Sequence, residues 1–284
     1  MLFNFYLFCL CFILLILISS LLQKKQETVL RSFTLLGILH ILCLVLWQGT
    51  LAFTIFVGCI FVLGLYELSI NYQTNRILLS LLSLILFTVY LYNDNQQIIQ
   101  LAVPSFLAIS ITTFIKKQED IKKTSYLFAF IACFIIPCSI FLIELFKINS
   151  GIIILIFLLL QLNDSFGYLL GKKFGKTRLF PAISPNKSLE GYLCGGVGII
   201  IGIFLLHTYI PVLPSHMFYQ DVVLFVYVFI FANTGDLLLS CLKRKLEIKD
   251  FSQILPGHGG ILDRFDNILF VAPVFYILFA RNII

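Results

Sequence analysis

Long apolar stretches separated by short polar ones follow one another along most of the chain. Many run for roughly 17 to 23 residues, enough for a helix to cross about 30 Å of hydrocarbon. They are too long and too uniformly apolar for the alternating strands of a membrane barrel. The pattern therefore predicts an all-α, polytopic transmembrane bundle of nine or ten spans. The predicted spans are 1–22, 31–47, 50–70, 76–92, 97–115, 125–146, 150–171, 190–211, 221–242 and 265–281.

The composition agrees with a membrane protein, since 60% of the 284 residues are hydrophobic and only 12% are charged. No polar segment is long enough to form a separate soluble domain, so residues 1–284 are expected to form one integral membrane domain. The first apolar stretch lacks a basic start and a cleavage site, so we interpret it as a retained helix rather than a signal peptide. The eight cysteines are scattered through apolar segments without a CxxC pair, which indicates free thiols rather than disulfides or zinc ligands.

The positive charges indicate how the spans are oriented. If the N-terminus lies outside and the spans alternate, 18 of the 20 Lys and Arg residues fall on the cytoplasmic side, all except Lys147 and Arg281. This bias is expected of a correct topology under the positive-inside rule. It places the two richest polar segments, 172–189 and 243–264, on the same cytoplasmic face.

Four aspartates occur at the ends of the late spans: Asp164, Asp236, Asp263 and Asp266. A carboxylate near hydrocarbon is costly and needs a partner. Clustered carboxylates together with substrate phosphates are a common way to hold Mg²⁺, so all four are candidate metal ligands, with a second cation left open. The alternative is that each carboxylate pairs with a Lys or Arg.

The first polar segment combines regularly spaced glycines with phosphate-binding side chains. Glycines recur every four residues from Gly167 to Gly175, a spacing typical of close helix packing. We favour packing for the first two and leave Gly175 open to phosphate contact. Ser184, Lys187 and Ser188 then form a candidate phosphate site, although Ser188 is equally well placed to cap the next helix.

The second polar segment is the most informative part of the chain. It carries Lys243, Arg244 and Lys249, then the flexible turn 256–260 around His258, and finally Arg264 between two of the aspartates. Such a Gly-rich turn can direct its amides at an anion. His258 is either a phosphate ligand or an ordinary loop histidine. Together, the two polar segments predict a Mg²⁺-dependent phosphate site at the cytoplasmic surface of the membrane.

The second segment resembles the hallmark of the phosphatidate cytidylyltransferases (CDP-diacylglycerol synthases), without a departure. Members of that family commonly have fewer spans, so segment 1–22 would be an addition. The detailed likeness covers about residues 160–270 and extends to residues 164–168, 184–191 and 235–237. The hallmark positions are Ser240, Lys243-Arg244, Lys249-Asp250, Pro256-Gly257-His258-Gly259-Gly260 and Asp263-Arg264-Phe265-Asp266.

The resemblance implies transfer of CMP from CTP to phosphatidate, giving CDP-diacylglycerol and pyrophosphate in phospholipid biosynthesis. It implies catalytic roles for Asp236, Asp263, Asp266 and Lys249, with Asp164 as a further metal ligand. By the same likeness, CTP phosphates would be held by Lys243, Arg244, Lys249 and Arg264, with His258 as a further substrate-binding residue, and the phosphatidate headgroup by Ser184, Lys187 and Ser188.

Other functions remain open at this point. A related transferase could use another lipid phosphate, such as an isoprenoid one. A transporter or channel is disfavoured because the charges cluster at one face and no broken-helix repeat is visible, and a structural scaffold would not need the carboxylate cluster. We expect a bacterial inner membrane, no nucleic-acid partner, and an oligomeric state that the sequence leaves open, a homodimer included.

Overall fold

The computed structural model describes residues 37–38, 40–72, 96–209, 218–255 and 259–280, and the single residues 10, 14, 85, 88 and 283. Residues 40–48 are helical. The elements that follow are α1 (Thr50–Asn71), α2 (Gln96–Ile115), α3 (Gln118–Ile121), α4 (Thr124–Ile148), α5 (Ser150–Phe174), β1 (Arg178–Phe180), β2 (Ser184–Ser188), α6 (Leu189–Tyr209), α7 (Phe218–Lys245) and α8 (Leu262–Ala280).

The prediction of an all-α membrane bundle is confirmed. Seven predicted spans, from 50–70 to 265–281 apart from 76–92, appear as helices with similar bounds, and the described part of 31–47 is helical. Within the described ranges, five helices are long and apolar enough to cross a membrane, namely α1, α4, α5, α6 and α7. Predicted spans 1–22 and 76–92 lie outside the described residues, apart from single positions.

Helix α8 lies at the centre of the bundle. Most of its side chains are buried, including Phe270 and Phe275, and its neighbours are α4, α5, α7 and α1. The Phe270 ring centroid lies 5.0 Å from that of Phe106 in α2 and 6.1 Å from that of Phe134 in α4. Tilted aromatic contacts of this kind add to the energy of burial. The start of α8, which carries residues 263–266, is therefore held inside the protein.

Helix α4 contains one π-helical turn, Ile131–Ile135, which ends two residues before Pro137. Proline removes a backbone donor and crowds the preceding turn. A widened π turn is a common way for a helix to absorb such a local defect. Residues 124–148 thereby form one continuous helix.

Helices α5 and α6 pack closely because glycines face each other along their contact. A Cβ placed on Gly171 would lie 2.9 Å from the Cα atom of Gly191, and one on Gly195 would lie 2.6 Å from Asn163 Oδ1. The packing role expected of Gly167 and Gly171 is confirmed, and Gly175 is also packed, against Ser188. Small residues thus let two backbones approach at the wall of the site.

A short β-ribbon, which was not predicted from the sequence, connects α5 and α6. Strands β1 and β2 are antiparallel, with Arg178 opposite Ser188. Glu190 fixes the base of the ribbon, because its carboxylate accepts hydrogen bonds from the Lys176 amide at 2.9 Å and the Thr177 amide at 3.2 Å. The ribbon lies beside the pocket described next.

Candidate active site

A pocket of about 550 Å³ opens between α5, the ribbon, α6 and α7. Four predicted site residues line it: Asp164, Asp236, Lys187 and Ser188. Its size falls within the range typical of small-molecule sites. Two more cations in the lining, Lys172 and Arg178, were not singled out from the sequence, although the basic character of segment 172–189 was a signal for them.

Asp164 is held in place by two asparagine side chains. Its Oδ1 accepts a hydrogen bond from Asn163 Nδ2 at 3.1 Å, and its Oδ2 accepts one from Asn267 Nδ2 at 2.9 Å. The second bond joins α5 to α8, so it fixes Asp164 relative to the helix that carries Asp263 and Asp266. Neither asparagine was predicted from the sequence as a site residue. The carboxamide oxygens of both are buried without a hydrogen-bond partner in the described part of the protein.

Asp236 forms an ion pair with Lys187, with 2.5 Å between Oδ2 and Nζ. Its other oxygen accepts a hydrogen bond from Ser240 Oγ at 3.2 Å, one helical turn away. Burial alone would lower the pKa of the Lys187 ammonium, but attraction to Asp236 and neighbouring groups outweighs it and raises the pKa. Lys187 is therefore protonated at neutral pH and supplies a fixed positive charge in the pocket.

Asp266 lies one turn into α8 and is buried. Gly235 lets α7 come close to α8, since a Cβ there would lie 2.6 Å from the Cβ of Phe270. Across the described residues, no group of three or more His, Cys, Asp and Glu side chains is arranged so that it could hold a metal ion.

Asp263 has a different environment from the other three aspartates. Its Oδ1 accepts a hydrogen bond from Lys243 Nζ at 2.6 Å, and its Oδ2 accepts bonds from the Phe251 and Gly260 amides, each at 2.9 Å. The side chain is almost completely buried. These three hydrogen bonds of Asp263 hold in place the loop that leads into α8.

Glu67 of α1, which was not predicted as a site residue, also binds this loop. The side chain is fully buried. It accepts hydrogen bonds from the Ile261 amide at 2.7 Å, the Leu262 amide at 2.9 Å and Ser252 Oγ at 2.6 Å. No local pattern could reveal a contact between residues 194 positions apart.

The remaining predicted residues are placed as follows. Ser188 Oγ accepts a hydrogen bond from the Gly191 amide at 3.1 Å, which makes it the N-cap of α6, while Ser184 begins β2. Arg244 donates to the Ile183 carbonyl at 3.2 Å and to the Ile248 carbonyl at 3.0 Å, so it ties the ribbon to the second polar segment. Lys249 and Arg264 are exposed. His258 lies outside the described residues.

The family and its relatives were identified by comparison with known proteins. A sequence profile of the cytidylyltransferase family matches residues 29–281. The chain is 32% identical over 245 residues to the phosphatidate cytidylyltransferase of Bacillus subtilis (strain 168), covering 82% of this chain and 90% of that protein. It is 31% identical over 262 residues to the phosphatidate cytidylyltransferase of Staphylococcus aureus (strain COL), covering 89% and 99%.

A third relative is more similar over a shorter range. The phosphatidate cytidylyltransferase of Thermotoga maritima is 46% identical over 123 residues, which cover 41% of this chain and 44% of that protein. The profile match reaches well into the N-terminal half, beyond the residues 160–270 on which the motif resemblance rests. On the extent of these matches, the chain belongs to the cytidylyltransferase family.

Proposed function

We propose that the protein transfers the CMP moiety of CTP to phosphatidate, giving CDP-diacylglycerol and pyrophosphate, as a nucleotidyltransferase of phospholipid biosynthesis. The main supporting observation is the pocket in which Asp164 and Asp236 lie among Lys172, Arg178 and Lys187 at the end of membrane-spanning helices. The relatives named phosphatidate cytidylyltransferase match over most of the chain and support the same substrates.

In the proposed reaction, a phosphate oxygen of the lipid attacks the α-phosphorus of CTP. A new P–O bond forms, and the bond from the α-phosphorus to the oxygen bridging it to the β-phosphorus breaks, so that pyrophosphate leaves with the bonding electrons. Because both reactants are anions, their repulsion opposes the approach. Positioned cations reduce that repulsion and align the two groups, which are the usual sources of catalysis in phosphoryl chemistry.

The cations divide into two groups, one from each polar segment. Lys187, with Ser184 and Ser188 nearby, is proposed to bind the phosphatidate headgroup, and Lys172 and Arg178 extend this positive surface along the pocket. The group that we propose for the CTP phosphates comes from the second polar segment and consists of Lys243, Arg244, Lys249, His258 and Arg264.

Mg²⁺ is the cation that we propose for the site. Asp164, Asp236 and Asp266 offer the hard oxygen ligands that this ion prefers. Because no three of the described acidic side chains are arranged to hold a metal by themselves, phosphate oxygens of the substrates would complete the coordination. The unpaired carboxamide oxygens of Asn163 and Asn267 are further oxygen donors beside Asp164. Asp263 is a proposed ligand through the lone pairs that its protein donors leave free. When bound, the metal would withdraw charge from the reacting phosphates.

The protein is an integral membrane protein, since five of its described helices have the length and composition of membrane spans. We propose a bacterial inner membrane with the site facing the cytoplasm, supported by the distribution of basic residues. A homodimer remains a prediction.

The proposal is tested by incubating the purified full-length protein in lipid–detergent micelles with Mg²⁺, phosphatidate and CTP labelled at the α-phosphate. We expect label to enter the lipid fraction with one pyrophosphate released per labelled lipid. Parallel reactions replace phosphatidate with a polyprenyl phosphate or omit the lipid. Transfer only to the polyprenyl phosphate would replace the proposed acceptor, and no transfer by folded protein to either lipid would refute the proposal.

A further inference from the structure

Glu67 is a buried carboxylate from the N-terminal half of the chain that contacts the start of α8. Both of its oxygens accept backbone hydrogen bonds, one from Ile261 and one from Leu262, at 2.7 and 2.9 Å. These amides lie at the N-terminus of α8, where the first N–H groups lack a partner within the helix. A negative charge is favoured there by the helix dipole. Glu67 therefore determines where α8 begins.

The contact leaves little freedom for the loop. A Cβ on Gly260 would lie 2.8 Å from both Glu67 carboxylate oxygens, and a Cβ on Gly64, one turn before Glu67, would lie 2.8 Å from Leu262 Cδ2. Close approach of this kind is possible only because both positions are glycines. Helix α1 thus contacts Leu262 at Gly64, and its Glu67 contacts Gly260 just before α8.

A second side chain of α1 holds the same loop one turn further on. Asn71 Nδ2 donates a hydrogen bond to the Phe251 carbonyl at 2.9 Å. The amide of Phe251 donates in turn to Asp263. The loop between α7 and α8 is therefore held at residue 251 and at residues 261–262 by side chains that share one face of α1.

We infer that Glu67 is a positioning residue for the transfer reaction, and this inference depends on the proposed function. Its carboxylate touches neither reactant in the proposed roles. It fixes the first turns of α8, and with them the distances of Asp263 and Asp266 from Asp236 on α7. The N-terminal half of the chain thereby takes part in building the site.

The test compares Glu67→Gln with Glu144→Gln in the full-length protein. Glutamine keeps the size of the side chain, but it offers one acceptor oxygen where two amides donate and turns its own N–H groups towards them. Glu144 is a suitable control because its partner is Lys147 of the same helix, at 2.7 Å. We expect Glu67→Gln to lower kcat by about tenfold to a hundredfold, the value of one or two charged hydrogen bonds.

The KM for CTP is expected to change little, because Glu67 orients the site and does not contact the substrate. Hydrogen exchange supplies a measurement that needs no turnover. Peptides that cover 259–263 should exchange faster in Glu67→Gln than in the wild type or in Glu144→Gln, while peptides within α5 should not.

Two results would overturn the inference. One is a kcat equal to that of the wild type; the other is faster exchange throughout the bundle with normal kcat per folded molecule, which would make Glu67 a purely structural residue. A wild-type protein that transfers no label would instead refute the proposed function, and the exchange of 259–263 would then decide whether Glu67 holds the loop.

Discussion

Two Asp–Lys ion pairs, each with one partner in α7, have the same chemistry and different surroundings. Asp236 and Lys187 are 2.5 Å apart, and their side chains are 34% and 20% exposed. Asp263 and Lys243 are 2.6 Å apart, and their side chains are only 2% and 12% exposed. The first pair lies on the pocket and binds no backbone amide in the described structure. The second lies in the loop before α8 and is bonded to two amides.

The difference shows which pair can exchange partners. In the pocket, Lys187 can turn from Asp236 to an incoming phosphate, because solvent and ligand both reach the pair. In the loop, separating Lys243 from Asp263 would leave a charge buried without a partner, which is strongly destabilising. We therefore expect the first pair to exchange partners when substrate binds and the second to stay intact and hold the loop, so that Lys243 and Asp263 would contact ligands only through the N–H groups and lone pairs that the pair leaves free.

The largest expected effect tests the pocket pair. Asp236→Asn should lower the rate of CMP transfer by about two to three orders of magnitude, comparable to losing one preorganised electrostatic group. Its unfolding temperature should stay near that of the wild type, since no backbone hydrogen bond depends on Asp236. The measurements are label transfer and thermal unfolding in detergent.

Asp221→Asn is the matched control for this variant. Asp221 lies at the other end of α7 and pairs there with His207 at 2.8 Å. Transfer should be normal in the control. If Asp236→Asn unfolded at a much lower temperature than Asp221→Asn, the distinction between the two ion pairs would be lost.

The second prediction concerns the loop pair. Asp263→Asn leaves Lys243 buried without its counter-charge, and we expect a loss of about 3 kcal/mol or more in the free energy of unfolding. Activity should fall together with stability. Asp250→Asn, at an exposed position of the same segment, is the control and should unfold like the wild type. An Asp263→Asn protein of normal stability but without activity would contradict the loop-holding role and leave only the proposed metal contact.

A third variant changes the wall of the pocket without touching a charge. In Gly171→Ala, the new methyl group would meet the Cα of Gly191 at 2.9 Å. Overpacking of this kind costs about 1–3 kcal/mol, and it should push α6 and the ribbon away from α5. Gly58→Ala, with no atom within 4 Å of the new Cβ, should show neither effect. Thermal unfolding and label transfer measure both, and equal behaviour of the two variants would contradict the packing described.

The smallest effect is expected at the rim of the pocket. Lys172→Gln and Arg178→Gln should each raise the KM for phosphatidate by up to about fivefold, because exposed charges are screened by solvent and salt. The increase should shrink at high ionic strength. Lys173→Gln is the control, since Lys173 lies over the Phe174 ring, 5.3 Å from its centroid. A KM change as large in the control would mean that only net charge matters.

Much of the fold was predictable because the bilayer leaves few choices. Backbone groups in hydrocarbon must bond within their own segment, so an apolar stretch such as 125–146 is a helix wherever it packs. Local spacing likewise predicted the close packing of Gly167 and Gly171. The β-ribbon was not predicted, because its strands of three and five residues carry no alternation long enough to recognise.

The site was predictable in its residue types and less so in its arrangement. The sequence by itself determined that carboxylates, cations and a Gly-rich turn occur together at the ends of late spans, because charge near a bilayer is costly and marks function. The tertiary structure alone decided that Asp263 holds the loop while Asp236 faces the pocket. It also brought Asn267 to Asp164 and Glu67 to Ile261, across 103 and 194 positions, because such contacts depend on how helices pack and leave no periodic trace in the chain.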